Sequence, residues 1–87
     1  MTLTAEQCRA ARAWLAWSQE DLAKKAGVGL STLRDFEGGK RAPIANNQKA
    51  IEAVLEREGF GFPFSLDGDG TAYACGITFS KPDKSDA

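Results

Sequence analysis

Histidine is missing from the 87 residues, and cysteine occurs only at Cys8 and Cys75, with 66 residues between them. A zinc site needs three or four clustered ligands, so no metal site is expected from these residue types. Neither thiol has a histidine to activate it, which argues against a cysteine nucleophile. In a reducing compartment both are read as packing residues. No apolar run approaches the roughly 18 residues needed to span a bilayer. The start, Met1-Thr2-Leu3-Thr4-Ala5-Glu6, lacks the basic and apolar stretches of a signal peptide. A cytoplasmic location without membrane contact is expected. Net charge is also scarce, at -1. Residues 1–58 carry nine Lys/Arg against eight Asp/Glu, and residues 59–87 carry two against four. A DNA-binding domain usually shows a basic excess, so composition alone argues against nucleic acid.

What is present reads as one small soluble domain, since 43% hydrophobic and 26% charged residues exclude a disordered chain. A chain of this length has room for a single core. Composition changes near Gly59, from helix-period segments to alternating aromatics and glycines. Thr4-Ala5-Glu6-Gln7 has the form of a capping box and starts a first helix, with Cys8, Ala11 and Leu15 as its stripe. Arg12 sits beside that stripe and calls for a partner. Ser18, with Asp21 three residues on, opens a second helix whose apolar face is Leu22, Ala23 and Ala26; Gly27 closes it. A third helix runs from about Leu30 to Glu37, with Leu33 and Phe36 inward, and ends at Gly38-Gly39. After the basic loop Lys40-Arg41-Ala42-Pro43, Asn46 or Asn47 is expected to cap a fourth helix to about Glu58. The fourth helix turns Ala50, Ile51, Val54 and Leu55 inward.

Two short helices joined by a tight turn have the geometry of a helix-turn-helix, which places its second helix in the DNA major groove. The run Trp17-Ser18-Gln19, Leu22-Ala23, Ala26-Gly27-Val28, Ser31-Thr32-Leu33 and Glu37-x-Gly39-Lys40-Arg41-x-Pro43 strongly resembles the Cro/C1-type (XRE) helix-turn-helix family of bacterial and phage regulators. The resemblance covers roughly residues 4–58. It implies a mainly α fold, a four- to five-helix lambda repressor-like DNA-binding domain over residues 1–58. It also implies a partly buried, structural ion pair between Arg12 and Glu37. Gln19 would contact a phosphate, helped by the helix N-terminus. Leu30, Ser31, Arg34 and Asp35 lie where relatives read bases. Arg34 is the best donor for guanine O6 and N7, Ser31 and Thr32 can bond a base or a phosphate, and Leu30 can pack on a thymine methyl. Lys40 and Arg41 would grip the backbone.

Plainer readings stand beside these. Thr32 serves equally as a residue of the helix's first turn, Arg34 and Asp35 as solvated charges, and Gln19-Glu20 as a helix start. Glu20 is either plain surface or part of an acidic patch touching RNA polymerase, as in some activating relatives. Two departures from the family pattern stand out: the low charge, and Gly29 where Ser/Thr is usual, a substitution worth only a few tenths of a kcal/mol at an N-cap.

In the tail, Phe60, Phe62 and Phe64 alternate, as do Tyr73, Cys75, Ile77 and Phe79, and Asp67-Gly68-Asp69-Gly70 between them is turn chemistry. Part of a calcium-loop pattern is there, but the downstream bidentate glutamate is not. A β-hairpin over residues 59–80 follows, with 81–87 as a flexible tail. A lone hairpin is marginal in water, and so much apolar surface must fold over its own helices or meet a second copy. The second option is favoured, which makes those seven residues the expected dimer contact. Residues 4–58 would then hold the whole helical core and fold without the tail. The function expected is a homodimeric regulator, a repressor, binding an inverted-repeat operator, in the bacterial and mobile-element setting common to the family. The alternative is an interaction protein, such as an antitoxin or anti-activator, that uses its aromatic tail to mask another protein; RNA polymerase or another regulator is a further candidate partner. No catalytic pair is visible and no cofactor or effector is expected, so an enzyme is a distant third.

Overall fold

Caps and apolar spacing divide the first two-thirds of the chain into helices. In the computed structural model, which describes residues 3–41 and 43–80, these are α1 (Ala5–Leu15), α2 (Gln19–Ala26), α3 (Leu30–Glu37) and α4 (Ala45–Arg57). Four short strands follow, β1 (Phe60–Gly61), β2 (Phe64–Leu66), β3 (Ala72–Ala74) and β4 (Thr78–Phe79). The molecule is thus mainly helical with a small antiparallel C-terminal unit. The tail expected at 81–87 lies outside the described residues.

Both capping boxes form. The Thr4 hydroxyl accepts from the Gln7 amide at 3.2 Å while the Gln7 side chain accepts from the Thr4 amide at 3.0 Å, and Ser18 and Asp21 do the same at 3.0 and 2.9 Å. Each box satisfies two donors that a helix start otherwise leaves open. Gly27 (φ 70°) ends α2 in the left-handed region, where a Cβ would be strained. Ala16 ends α1 in the same region (φ 59°) without that freedom, a strained choice for a residue with a side chain.

The fourth helix corrects one expectation. It starts at Ala45, with Ile44 as an extended N-cap and no side-chain cap bond. Asn46 and Asn47 therefore fall inside the first turn. The end of the helical set is tied instead by Gln48, whose amide donates to the Leu3 carbonyl at 2.7 Å.

The core gathers Cys8 and Ala11 from α1, Leu22 and Ala23 from α2, Leu33 and Phe36 from α3, and Ile51, Val54 and Leu55 from α4. Two further members come from outside the helices, Leu3 and Phe60. Leu15 and Ala26, read from spacing as core, are only partly buried.

Strand pairing forms one interrupted hairpin. Phe60 and Gly61 pair with Phe79 and Thr78, while Phe64, Ser65 and Leu66 pair with Ala74, Tyr73 and Ala72. Between these ladders one side has residues 62–63 and the other 75–77, an excess of one residue. The Cys75 amide bridges the gap to the Pro63 carbonyl at 2.9 Å, and Gly76 takes φ 103°. This is a β-bulge, and it changes which residues share a face. Cross-strand partners point the same way, so Ala72 and Ala74 join Leu66 and Phe64, whereas Tyr73 goes with Ser65. The alternating set Tyr73, Cys75, Ile77 and Phe79 is therefore not one face.

The inner half of the hairpin lies on its own helices. Phe60 is 4% exposed, its ring meets Trp14 of α1 edge-on at 5.9 Å, and it stacks near Phe62 at 6.4 Å. Phe79 packs on Trp14 and Phe60, both at 5.0 Å. Gln7 donates to the Gly76 carbonyl at 2.6 Å, fastening α1 to the bulge. Residues 4–58 consequently do not hold the whole core, because Phe60 supplies part of it. Truncating it removes a buried aromatic and leaves a cavity. Phe60→Ala should cost about 3–5 kcal/mol, measured as a fall in the urea midpoint of the helical circular dichroism. An unchanged midpoint would show that the helices close without the hairpin.

Candidate functional site

The carboxylate of Glu37, at the end of α3, is 2% exposed, and burial of a lone carboxylate is costly unless every lone pair finds a donor. Donors arrive from two other helices. Arg12 of α1 makes a two-point contact, Nη2 to Oε1 at 2.8 Å and Nε to Oε2 at 3.0 Å. Gln19 of α2 donates its Nε2 to Oε1 at 3.0 Å. The Cys8 thiol, one turn before Arg12 on the same stripe, donates to Oε2 at 3.2 Å. Arg9 donates through Nη1 to the Glu37 main-chain carbonyl, one of the acceptors that a helix end leaves open. The third nitrogen of Arg12, Nη1, donates to the Trp17 carbonyl in the loop between α1 and α2 at 3.0 Å.

Titration behaviour follows from these contacts. Burial alone would raise the Glu37 carboxyl, but hydrogen bonds from Arg12, Gln19 and Cys8, with the Arg12 charge, hold it below its ordinary value. The Arg12 guanidinium is raised, chiefly by its bond to Glu37. Cys8 is pushed well above the usual thiol range by burial, then by Glu37. It is a protonated donor, not a reactive thiolate.

The far side of α3 is open. Ser31 and Arg34 are exposed, while Thr32 and Asp35 are half-buried. Leu30, expected on the outer face, is half-buried and packs against the core, because at the first position of a short helix it can reach both. The helix ends in a Schellman motif: Gly39 (φ 73°) donates to the Phe36 carbonyl at 3.1 Å and Lys40 to the Asp35 carbonyl at 2.9 Å. That turn brings the exposed Lys40 and Arg41 directly after the helix. Among the described residues none of Arg34, Lys40 and Arg41 is ion-paired. Gln19, read from the resemblance as a phosphate contact, has one amide N–H committed to Glu37. Glu20 is exposed, 3.9 Å from Lys24.

The seven residues assigned to dimer contact do not stay together. Phe60 is buried in its own chain, Phe62 and Ile77 pack partly against the same core, and Phe79 lies on Trp14. Phe64, Tyr73 and Cys75 remain outward. The bulge and the helical surface beneath the inner half explain the division. Reading the sequence missed Cys8 and Arg9 as partners of Glu37. Cys8 stands four residues before Arg12 on one helix face, but its own stripe reads simply as core.

A family model described as helix-turn-helix matches residues 9–58. No curated protein matches the chain. Among the described residues no helix is long and apolar enough to cross a membrane.

The Glu37 contacts predict a pH-dependent stability. A carboxyl with a depressed folded value stabilises fully above its unfolded value of about 4.3, and loses that contribution as the pH falls through the lower folded value. Replacing it should therefore cost most near neutrality, about 3 kcal/mol given that Arg12 keeps some solvent contact. Glu37→Gln and wild-type protein should converge in melting temperature as the pH drops toward 3. Parallel melting curves across that range would show that the carboxylate is not held as described.

Proposed function

The chain belongs to the XRE-type helix-turn-helix family, and from that premise we propose that it is a sequence-specific transcriptional regulator that represses from an inverted-repeat operator as a homodimer. Carrying this reading is the cluster of exposed, unpaired cations on and just after the second helix of the pair, Arg34, Lys40 and Arg41, beside exposed Ser31. Arg34 would donate to guanine O6 and N7, Ser31 and Thr32 to a base edge or phosphate, and Leu30 would touch a thymine methyl. Asp35 would accept from a cytosine amino group. Lys40 and Arg41 would neutralise phosphates, fixing register without reading sequence. Enzymatic activity has no place in this reading.

Low charge makes the second subunit matter. With so few phosphate-binding groups, one domain has modest non-specific affinity, and two domains one helical turn apart, roughly 34 Å, would multiply it. The part of the tail available for pairing is the outer half of the hairpin, where Phe64 is 51% and Leu66 60% exposed and share a face with Ala72 and Ala74. A face with large side chains on one strand and small ones on the other is self-complementary about a two-fold axis, as an isologous interface requires. The same exposed residues favour a second reading, in which the tail caps another protein as an antitoxin or anti-activator does.

Two measurements test the proposal. Arg34→Ala should weaken the preferred duplex by about 1–3 kcal/mol and relax its sequence preference, whereas Arg41→Ala should weaken every duplex alike. Arg34→Ala binding like wild type would show that the base-reading face is misassigned. In sedimentation, wild-type protein should run as a dimer and a Phe64→Ser, Leu66→Ser double variant as a folded monomer. A wild-type monomer would move the reading toward the capping alternative.

A further inference from the structure

The side chain of Gln19 has more to do than begin α2. Among the described residues, its bond to Glu37 is the one side-chain hydrogen bond that joins α2 to α3. It lands on the same oxygen as Arg12 Nη2, so one carboxylate atom holds α2, α1 and α3 in a fixed relation. At its start α3 has no side-chain cap, since Gly29 makes no such bond. At its end the Schellman turn closes the helix on itself, and Arg9 ties the Glu37 carbonyl to α1. Neither contact involves α2, so toward α2 orientation rests on apolar packing and on the Gln19 bond to Glu37.

Resting on the DNA-binding reading above, we infer that Gln19 is a positioning residue, which sets the angle of α3 against α2 through Glu37 and so determines how well bases are read. A helix of 8 residues is about 12 Å long. A pivot of roughly 5° at its Glu37 end moves the opposite end by about 1 Å by that geometry. Base hydrogen bonds fail over such a distance, while charge contacts to phosphates absorb it. Gln19 therefore acts on discrimination, and a simple phosphate contact would act on all DNA equally. Nε2 keeps a second N–H, so a phosphate contact can coexist with this role without being its main effect.

The test uses full-length protein and a duplex selected by the wild type from a random pool, with a shuffled duplex of equal composition. Gln19→Met keeps the length and helical preference and removes the donor. Expected is a loss of roughly tenfold on the selected duplex, in line with one hydrogen bond to a charged group, and under about twofold on the shuffled one. Arg41→Ala, measured alongside, should lower both together. Equal loss on both duplexes by Gln19→Met, or loss on neither, overturns the inference. If the wild type selects no duplex, the DNA-binding reading fails on its own. The contact is then judged by nuclear magnetic resonance of the free protein. A Gln19 side-chain amide exchanging slowly, and shifted from that of a solvent-exposed glutamine, supports the positioning; one exchanging at the solvent-exposed rate overturns it.

Discussion

Glu37 carries the only carboxylate among the described residues that is fully buried, and four donors from three side chains surround its two oxygens. A charge in that position is destabilising until the last donor is in place. Each contributing helix must then stand at a definite height and rotation relative to α3. Hydrophobic packing by Leu22, Leu33, Ile51 and Leu55 supplies most of the cohesion, since area burial is non-directional. The carboxylate supplies direction. A core of leucines alone tolerates sliding and repacking; an arginine fork and an amide do not.

The remainder of the molecule divides its apolar surface in two. Helices α1 and α4 accept the inner hairpin, so Phe60 completes a core that four short helices leave unfinished. The outer hairpin extends beyond that support. A protein with a net charge of -1 has no general attraction for DNA to rely on. A reading face with three free cations works in such a background only if geometry, rather than bulk charge, provides the affinity. That is why the placement of α3 and the availability of a second subunit bear on the same function.

Much of this was legible in the chain. The Thr4 and Ser18 boxes, the Gly27 turn and the limits of α3 follow from local chemistry that tertiary contacts do not override. Arg12 was legible as a charge in want of a partner, and the family resemblance pointed to Glu37. What stayed hidden depends on distant or offset contacts. Cys8 looks like any small core residue until its thiol is placed beside a carboxylate. Gln19 looks like a surface residue because nothing in its own helix reveals that Glu37 is within reach. The start of α4 is not legible because Ile44 caps it by backbone conformation alone, with no side-chain bond, while the asparagines just beyond suggest a cap. In the tail, strict alternation predicts one face, and one surplus residue breaks it. Phe60 reads as a contact to a second copy because it shares the alternating pattern of Phe64.

The surplus residue at 75–77 has an evolutionary corollary. Strand pairing has a parity, and the bulge sets it for everything beyond Gly76. Loss of a single codon there would remove the surplus and leave a regular ladder, with Phe64 still opposite Ala74 and Phe60 still opposite Phe79. Both pairings are indifferent to that deletion. What it takes away is the kink and extra twist that a bulge gives its strand, so the outer face would swing relative to the helices beneath the inner half. The direction in which Phe64 and Leu66 are presented is thus set by chain length, and can change without a substitution in either face.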